Sequence, residues 1–269
     1  RDAVIHRNGP MLVVAGAGSG KTRVLTHRIA HLIGNDNVNP FQILAITFTN
    51  KAAQEMKDRV AALVGPVAEK MWVSTFHSAC VRILRRDAEQ LGYPSTFSIY
   101  DQADAVRLTG YVARDLGLDT KKFVPRSVHA HISNLKNELV STHQALEKAE
   151  GVFDRKIAEI YEEYQRRLRT SGAMDFDDLL NVTVELFTAH PDTLTHYQER
   201  FQHVLVDEYQ DTNPAQNDIV LKLGDKHQNV FVVGDSDQSV YAFRGADIRN
   251  ILEFEKAFPD TSVVVLDQN

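Results

Sequence analysis

Short apolar runs recur along the chain at residues 11–15, 43–48, 71–75, 203–207, 230–234 and 263–266, each bounded by polar or turn residues. They are rich in Val and Ile and most lack strict alternation, as expected of strands covered on both faces. Between several of them the apolar spacing becomes helical. Val24, Leu25, Ile29, Leu32 and Ile33 share one helical face after the first run, and Ala52, Met56, Val60, Leu63 and Val64 share one after the second. Alternating strand and helix predicts an α/β fold on a mostly parallel sheet.

The alternation stops in the middle. From about residue 91 to residue 180 helical patterns dominate and strand patterns are almost missing. Ile157, Ile160, Tyr161, Tyr164 and Leu168 form one stripe, with Gly92-Tyr93-Pro94 as an entry turn and Ser171-Gly172 as a break near the exit. An inserted all-helical domain is therefore expected over residues 92–180. It would divide the α/β domain into residues 1–91 and 181–269.

Composition narrows the class. A chain of 269 residues with 43% hydrophobic content can bury one large core or two modest ones. No apolar run approaches bilayer length, and the first six residues contain no apolar signal core. The single cysteine, Cys80, lies among apolar and helical neighbours and reads as a small core residue. A cytoplasmic setting without membrane contact fits these features. The net charge of −6 argues against a simple basic-surface DNA binder. It leaves room for a protein that grips a strand with local groups and stacking aromatics. Both ends read as cuts, since no Met opens the chain and Gln268-Asn269 follows an apolar run directly.

The most specific chemistry is Ala15-Gly16-Ala17-Gly18-Ser19-Gly20-Lys21-Thr22, after an apolar strand and before an amphipathic helix. That context separates a phosphate-binding loop from a chance glycine-rich turn. Glycines let backbone N–H groups turn inward as an anion nest, and the helix that begins near Lys21 adds its positive end. Lys21 would supply a point charge to the β- and γ-phosphates of ATP, and the Thr22 hydroxyl a ligand to Mg²⁺. Ala15 replaces the usual first glycine of this pattern.

Two acids, Asp207 and Glu208, close another strand. Beside a phosphate loop, Asp207 would hold Mg²⁺ and Glu208 would orient or deprotonate the attacking water. Asp211 reads as a cap for the next helix. A third segment follows the next strand, Gly234-Asp235-Ser236-Asp237-Gln238-Ser239-Val240-Tyr241-Ala242-Phe243-Arg244. A glutamine there can sense a γ-phosphate. The spacing of Tyr241 and Phe243 fits core aromatics as well as a stacking platform.

In this order these segments resemble the superfamily 1 DNA helicases of the UvrD/Rep/PcrA kind. Thr47-Phe48-Thr49-Asn50-Lys51-Ala52-Ala53, Ser74-Thr75-Phe76-His77-Ser78 and Asp175-Phe176-Asp177-Asp178-Leu179 extend the likeness along the chain. Ile132-Ser133-Asn134-Leu135-Lys136-Asn137-Glu138 brings it closest to PcrA-like enzymes. The resemblance implies a RecA-like motor domain, 1A, interrupted by a helical domain, 1B, in an enzyme that uses MgATP to move 3′ to 5′ on single-stranded DNA. It implies nucleotide binding by Ala15, Gly16, Ala17, Gly18, Ser19, Gly20, Lys21 and Thr22, with Arg23 against the adenine. Glu208, Gln238 and Lys21 would be catalytic, and Thr22 and Asp207 would be the metal ligands. Thr47, Phe48, Asn50, Lys51, Thr75, His77, Tyr241, Phe243 and Arg244 would lie on the DNA. For His77 a hydrogen-bonded core histidine is an equal reading.

The resemblance also implies that adenine- and γ-phosphate-contacting residues, and a second motor domain, lie outside residues 1–269. The isolated chain is then expected not to unwind DNA and to turn over ATP barely. The alternatives are a nucleotide- or DNA-binding fragment without turnover, and an ATPase acting on proteins or small molecules. The latter is disfavoured by the Thr47-to-Lys51 and Gln238 segments. Residues 121–137 carry Lys121, Lys122, Arg126, His129, His131 and Lys136 without an acid. They read either as a contact to a duplex junction or as a solvated helix face.

Overall fold

A computed structural model describes residues 1–16, 18–235 and 249–266. Its strands are β1 (Met11–Ala15), β2 (Ile43–Thr47), β3 (Trp72–Thr75), β4 (Ser98–Tyr100), β5 (Ala173–Asp175), β6 (His203–Val206), β7 (Val230–Asp235) and β8 (Ser262–Leu266). Its helices are α1 (Asp2–Ile5), α2 (Lys21–Gly34), α3 (Asn50–Val64), α4 (Phe76–Asp87), α5 (Gln102–Asp115), α6 (Pro125–Asn137), α7 (Thr142–Lys148), α8 (Val152–Thr170), α9 (Phe176–Ala189), α10 (Pro191–Arg200), α11 (Pro214–Gly224) and α12 (Arg249–Ala257). The chain forms two compact units, one of residues 1–79 and 191–269 and the other of residues 80–190. Among the described residues no helix is long and apolar enough to cross a membrane.

The first unit is an α/β unit built on a six-stranded sheet in the order β3-β2-β6-β7-β1-β8, with parallel pairing at each step. Residues Met11, Val13, Ile43, Ala45, Leu205 and Phe231 of one sheet face pack with Leu25, Ile29 and Leu32 of α2 and Ala53, Met56 and Val60 of α3. Their alternates Leu12, Leu44, Ile46, Val204, Val206 and Val232 are buried too. Burial on both sides explains why these strands read as unbroken apolar runs. Each of the larger side chains removed from water contributes about 1.5–3 kcal/mol.

Because the strands are parallel, their carboxyl ends share one edge of the sheet. β7 lies between β1 and β6. The loop after β1, the acids after β6 and the last residue of β7 are therefore neighbours, although the sequence separates them widely. That edge is where open α/β sheets place ligands.

The second unit corrects one expectation, because it is not all-helical. β4 and β5 pair in parallel, Ser98 with Ala173 and Tyr100 with Asp175. Three-residue strands are too short to show a period in the sequence. The helices pack around Val112, Ile132, Ile157, Ile160, Tyr161, Tyr164 and Leu168, the predicted stripe among them.

This unit also corrects the reading of residues 121–137. Lys136 and His129 are 1% and 2% exposed and cannot meet DNA. Lys136 Nζ donates to Asp175 Oδ2 at 2.8 Å and to Asp178 Oδ1 at 2.9 Å. Tyr164 Oη donates to the same Asp175 oxygen at 2.7 Å. Burial alone would lower the Lys136 pKa, and the two carboxylates overcome it and raise it. Burial pushes Asp178 up to about 6, against the pull of Lys136. His129 Nδ1 meets the Thr109 hydroxyl at 3.3 Å, and burial lowers its pKa. Lys121, Lys122, Arg126 and His131 remain exposed.

Candidate nucleotide site

The loop after β1 turns on two glycines with positive φ, Gly18 at 78° and Gly20 at 81°. Gly20 is the N-cap of α2 in the left-handed conformation, which a side chain would strain. The Ser19 hydroxyl donates to the Gly16 carbonyl at 2.6 Å, and Ser19 N donates to the same oxygen at 3.2 Å. No side chain caps α2. Its first N–H groups and its positive end therefore suit an anion.

Lys21 opens α2, and its ammonium donates to Asp235 Oδ2 at 3.1 Å. Glu208 Oε2 stands 3.7 Å from the same nitrogen. The Thr22 hydroxyl points at Asp207 Oδ2 across 3.4 Å. The residues called from the loop and from the end of β6 thus meet in space, with Asp235 between them. Ala17 lies outside the described residues, as do Gln238, Tyr241, Phe243 and Arg244.

Asp207 is 5% exposed, and its Oδ1 accepts from Glu208 N at 2.9 Å. Burial raises its pKa, and the Glu208 charge adds to the rise. Two carboxylates held together under partial burial favour a cation nearby. A hydroxyl and a carboxylate converging as hard oxygens are suitable Mg²⁺ ligands. Thr22 and Asp207 therefore fit the metal that an ATP site requires.

Glu208 sits in the left-handed region at φ 48° and ψ 45°, a conformation that costs a non-glycine residue roughly 1–3 kcal/mol. Tyr209 and Gln210 follow in a single 3-10 turn. The Tyr209 hydroxyl donates to Asn217 Oδ1, and Asn217 Nδ2 donates to Glu253 Oε2 at 2.8 Å. Asn250 Nδ2 donates to the Thr212 carbonyl and hydroxyl. These buried bonds tie the turn to α11 and α12 and fix the exit from β6. Asp211 does not cap α11. Asn213 does, with its side chain accepting from Gln216 N at 2.8 Å in a reciprocal capping box. Asp211 is exposed as a residue, while partial loss of hydration beside the other acids raises its carboxyl pKa, with the Glu208 charge next in effect.

Sequence reasoning assigned no role to Asp235 or Gln210. Gln210 Nε2 donates to Glu208 Oε2 at 2.6 Å, and Gln210 Oε1 accepts from Asp235 N at 3.0 Å. The strand order alone would have exposed both residues, since it places the end of β7 beside the end of β6.

On the other side of the loop, Val4, Gly18, Gly20, Arg23, Val24 and His27 line a shallow cavity of about 360 Å³. Arg23 is exposed on its wall. An aliphatic floor with a guanidinium beside it suits a purine ring.

Thr47, Phe48, Asn50, Lys51, Thr75 and His77 lie at the ends of β2 and β3, on the same sheet edge. Asn50 and Lys51 are exposed at the start of α3. Phe48 meets Phe76 edge-on, with 5.6 Å between ring centroids. Thr47 is 1% exposed and its hydroxyl donates to the Thr49 carbonyl at 3.2 Å. The Thr75 hydroxyl donates to Ser78 Oγ at 3.0 Å and accepts from Ser78 N at 3.2 Å. Burial lowers the His77 pKa, favouring the neutral ring.

The UvrD/REP helicase N-terminal domain matches residues 1–259. The ATP-dependent DNA helicase PcrA of Bacillus subtilis (strain 168) is 52% identical over 269 residues, covering 100% of this chain and 36% of that protein. The ATP-dependent DNA helicase UvrD1 of Mycobacterium bovis is 55% identical over 280 residues, again covering 100% of this chain and 36% of that protein. PcrA of Staphylococcus aureus (strain Mu50) is 52% identical over 268 residues and is covered to 37%. The chain thus spans little more than a third of the relatives it matches.

Proposed function

This chain belongs to the UvrD/REP helicase family, to its N-terminal domain, and on that premise we propose that it is the ATP-binding motor half of a DNA helicase. The full-length protein would hydrolyse MgATP to move 3′ to 5′ on single-stranded DNA and open duplex junctions, in a cytoplasmic setting. In this reading residues 1–91 and 181–269 are the motor domain 1A, and residues 92–180 are the inserted domain 1B. The observation that carries it is the meeting of Lys21, Thr22, Asp207, Glu208 and Asp235 at the ends of β1, β6 and β7.

The chemistry follows from these positions. The Gly16-to-Thr22 loop and the start of α2 receive the phosphates. Lys21 Nζ shifts from Asp235 toward the β- and γ-phosphate oxygens. Thr22 and Asp207 would hold Mg²⁺, which would supply positive charge beside the transferring group. Glu208 accepts a proton as water oxygen bonds to the γ-phosphorus and the bond to the β-phosphate oxygen breaks, leaving ADP and phosphate. Gln238 would report the γ-phosphate to the DNA side. Phe48, Tyr241 and Phe243 would stack on bases, with Asn50, Lys51, Thr75, His77 and Arg244 beside the strand, while the buried Thr47 would serve by holding the Thr49 carbonyl in the turn before α3. Residues 1–269 alone would bind nucleotide weakly, hydrolyse it slowly and not unwind DNA, because directional stepping needs a second domain to close on ATP.

ATP hydrolysis by the full-length protein, measured with and without single-stranded DNA, tests the reading together with strand separation on a duplex bearing a 3′ tail. DNA-stimulated turnover and separation are expected. Turnover indifferent to DNA would overturn it.

A further inference from the structure

Glu208 carries the hydrolytic step in the reading above, and two donors approach its Oε2. One is Gln210 Nε2 at 2.6 Å and the other Lys21 Nζ at 3.7 Å. Lys21 is also the group drawn to phosphate. When it turns that way, the Gln210 amide is the donor that stays on the carboxylate. Its other end is equally committed, because Gln210 Oε1 accepts the backbone N–H of Asp235 at 3.0 Å. Gly234 packs against the same amide, and a Cβ built there would lie 3.5 Å from Gln210 Oε1. One side chain thus joins the carboxylate after β6 to the last residue of β7.

Three features make this bridge more than a surface contact. Glu208 occupies an unfavourable left-handed backbone conformation, so its direction is held by its surroundings. Gln210 is half-buried within a single 3-10 turn whose neighbour Tyr209 is fully buried and tied to Asn217. The amide also donates to Glu208 in the loop after β6 and accepts from Asp235 at the end of β7, which ties that loop to that strand. A neutral donor suits the task, because it orients a carboxylate without neutralising the charge that must accept a proton.

We propose that Gln210 is a positioning residue for ATP hydrolysis, aiming Glu208 at the attacking water and coupling that aim to the end of β7. The proposal rests on the nucleotide-site reading above. The test uses the full-length protein and the variants Gln210→Glu and Gln210→Met. Gln210→Glu keeps the acceptor for Asp235 N and loses the donor to Glu208. Gln210→Met keeps the length and loses both bonds. DNA-stimulated kcat should fall about 10-fold to 100-fold in each, the size expected for a lost hydrogen bond to a charged group. MgATP affinity, measured by titration without turnover, should stay within about threefold, because neither bond touches phosphate.

The split between kcat and MgATP affinity separates positioning from a merely structural role. A folding defect would lower the melting temperature and the number of nucleotide sites together with turnover, whereas a misaimed Glu208 lowers kcat per bound site alone. Unchanged kcat per site in Gln210→Glu, with a wild-type melting temperature, would overturn the proposal, and so would a loss of turnover that only follows a loss of nucleotide sites. Absence of turnover in the wild-type protein would instead remove the reading on which it rests.

Discussion

The Lys21 ammonium donates to the Asp235 carboxylate across 3.1 Å, joining the loop after β1 to the end of β7, residues 214 apart in the chain. With Glu208 Oε2 at 3.7 Å, the one lysine serves two acids. It is therefore the counterion that Asp235 and Glu208 share and, in the function proposed, the charge offered to phosphate.

Lys21→Ala is expected to abolish MgATP binding or turnover in the full-length protein. The phosphates lose their nearest point charge, and the carboxylates left behind repel them. Glu208→Gln keeps the shape and removes the base, so it should spare binding and stop hydrolysis. Nucleotide titration beside a turnover assay reads both. Normal turnover in Glu208→Gln would remove Glu208 from its role.

Lys136→Met should destabilise the second unit severely. Lys136 answers Asp175 and Asp178, and all three are at most 2% exposed. Removing one member of a buried ionic cluster costs about 3–5 kcal/mol, because the remaining charges lose their partner. Urea unfolding of the chain gives the number. A loss under about 1 kcal/mol would mean that Asp175 and Asp178 share a proton readily without the lysine.

Much of this was legible in the sequence, and the failures have physical causes. Five of the six strands of the large sheet showed as apolar runs because their faces are covered, as in β2, where all five residues are buried, whereas β8, last in the strand order, reads as such a run although Val263 and Val265 are exposed. β4 and β5 carry three residues each and leave no period to detect. Lys136 read as part of a basic run because its partners lie 39 and 42 residues away. Asn213 was legible as a cap, with proline next and glutamine three residues on, yet Asp211 drew the assignment through its place beside the acidic pair. The phosphate loop and Asp207-Glu208 are contiguous motifs and could be found. Asp235 and Gln210 act across strands, and only the order β6-β7-β1 brings them to the site.

Charge reversal at Lys121 and Lys122 should weaken binding to a duplex junction and flatten its salt dependence. Both side chains are exposed, whereas Lys136 and His129 are not available. Each phosphate contact adds about 0.9 to the slope of log affinity against log salt, so losing both should reduce the slope by about 1–2. Fluorescence anisotropy of a tailed duplex at several salt concentrations measures it. An unchanged slope would leave these lysines as solvated surface.

Acid should weaken the α/β unit through His203. Burial pushes this imidazole down to about 4, with Arg28 next in effect, Asp36 opposing and His227 adding to the fall. A histidine with a lowered folded pKa stays neutral in the fold while the unfolded chain takes up a proton. Its contribution is therefore intact above about pH 6.5 and is lost as pH falls toward 4, on the order of 3 kcal/mol over the whole window. Asp178 works in the opposite sense between its ordinary carboxylate range and about 6, since the folded chain holds that proton more tightly. The total stability curve consequently mixes the two, and the difference between wild type and His203→Gln isolates the histidine. Urea unfolding at pH 7.5 and pH 5 should show the wild type losing about 2 kcal/mol more than His203→Gln over that interval. Equal losses in the two proteins would mean that His203 is protonated inside the fold and that the charges around it accommodate the imidazolium.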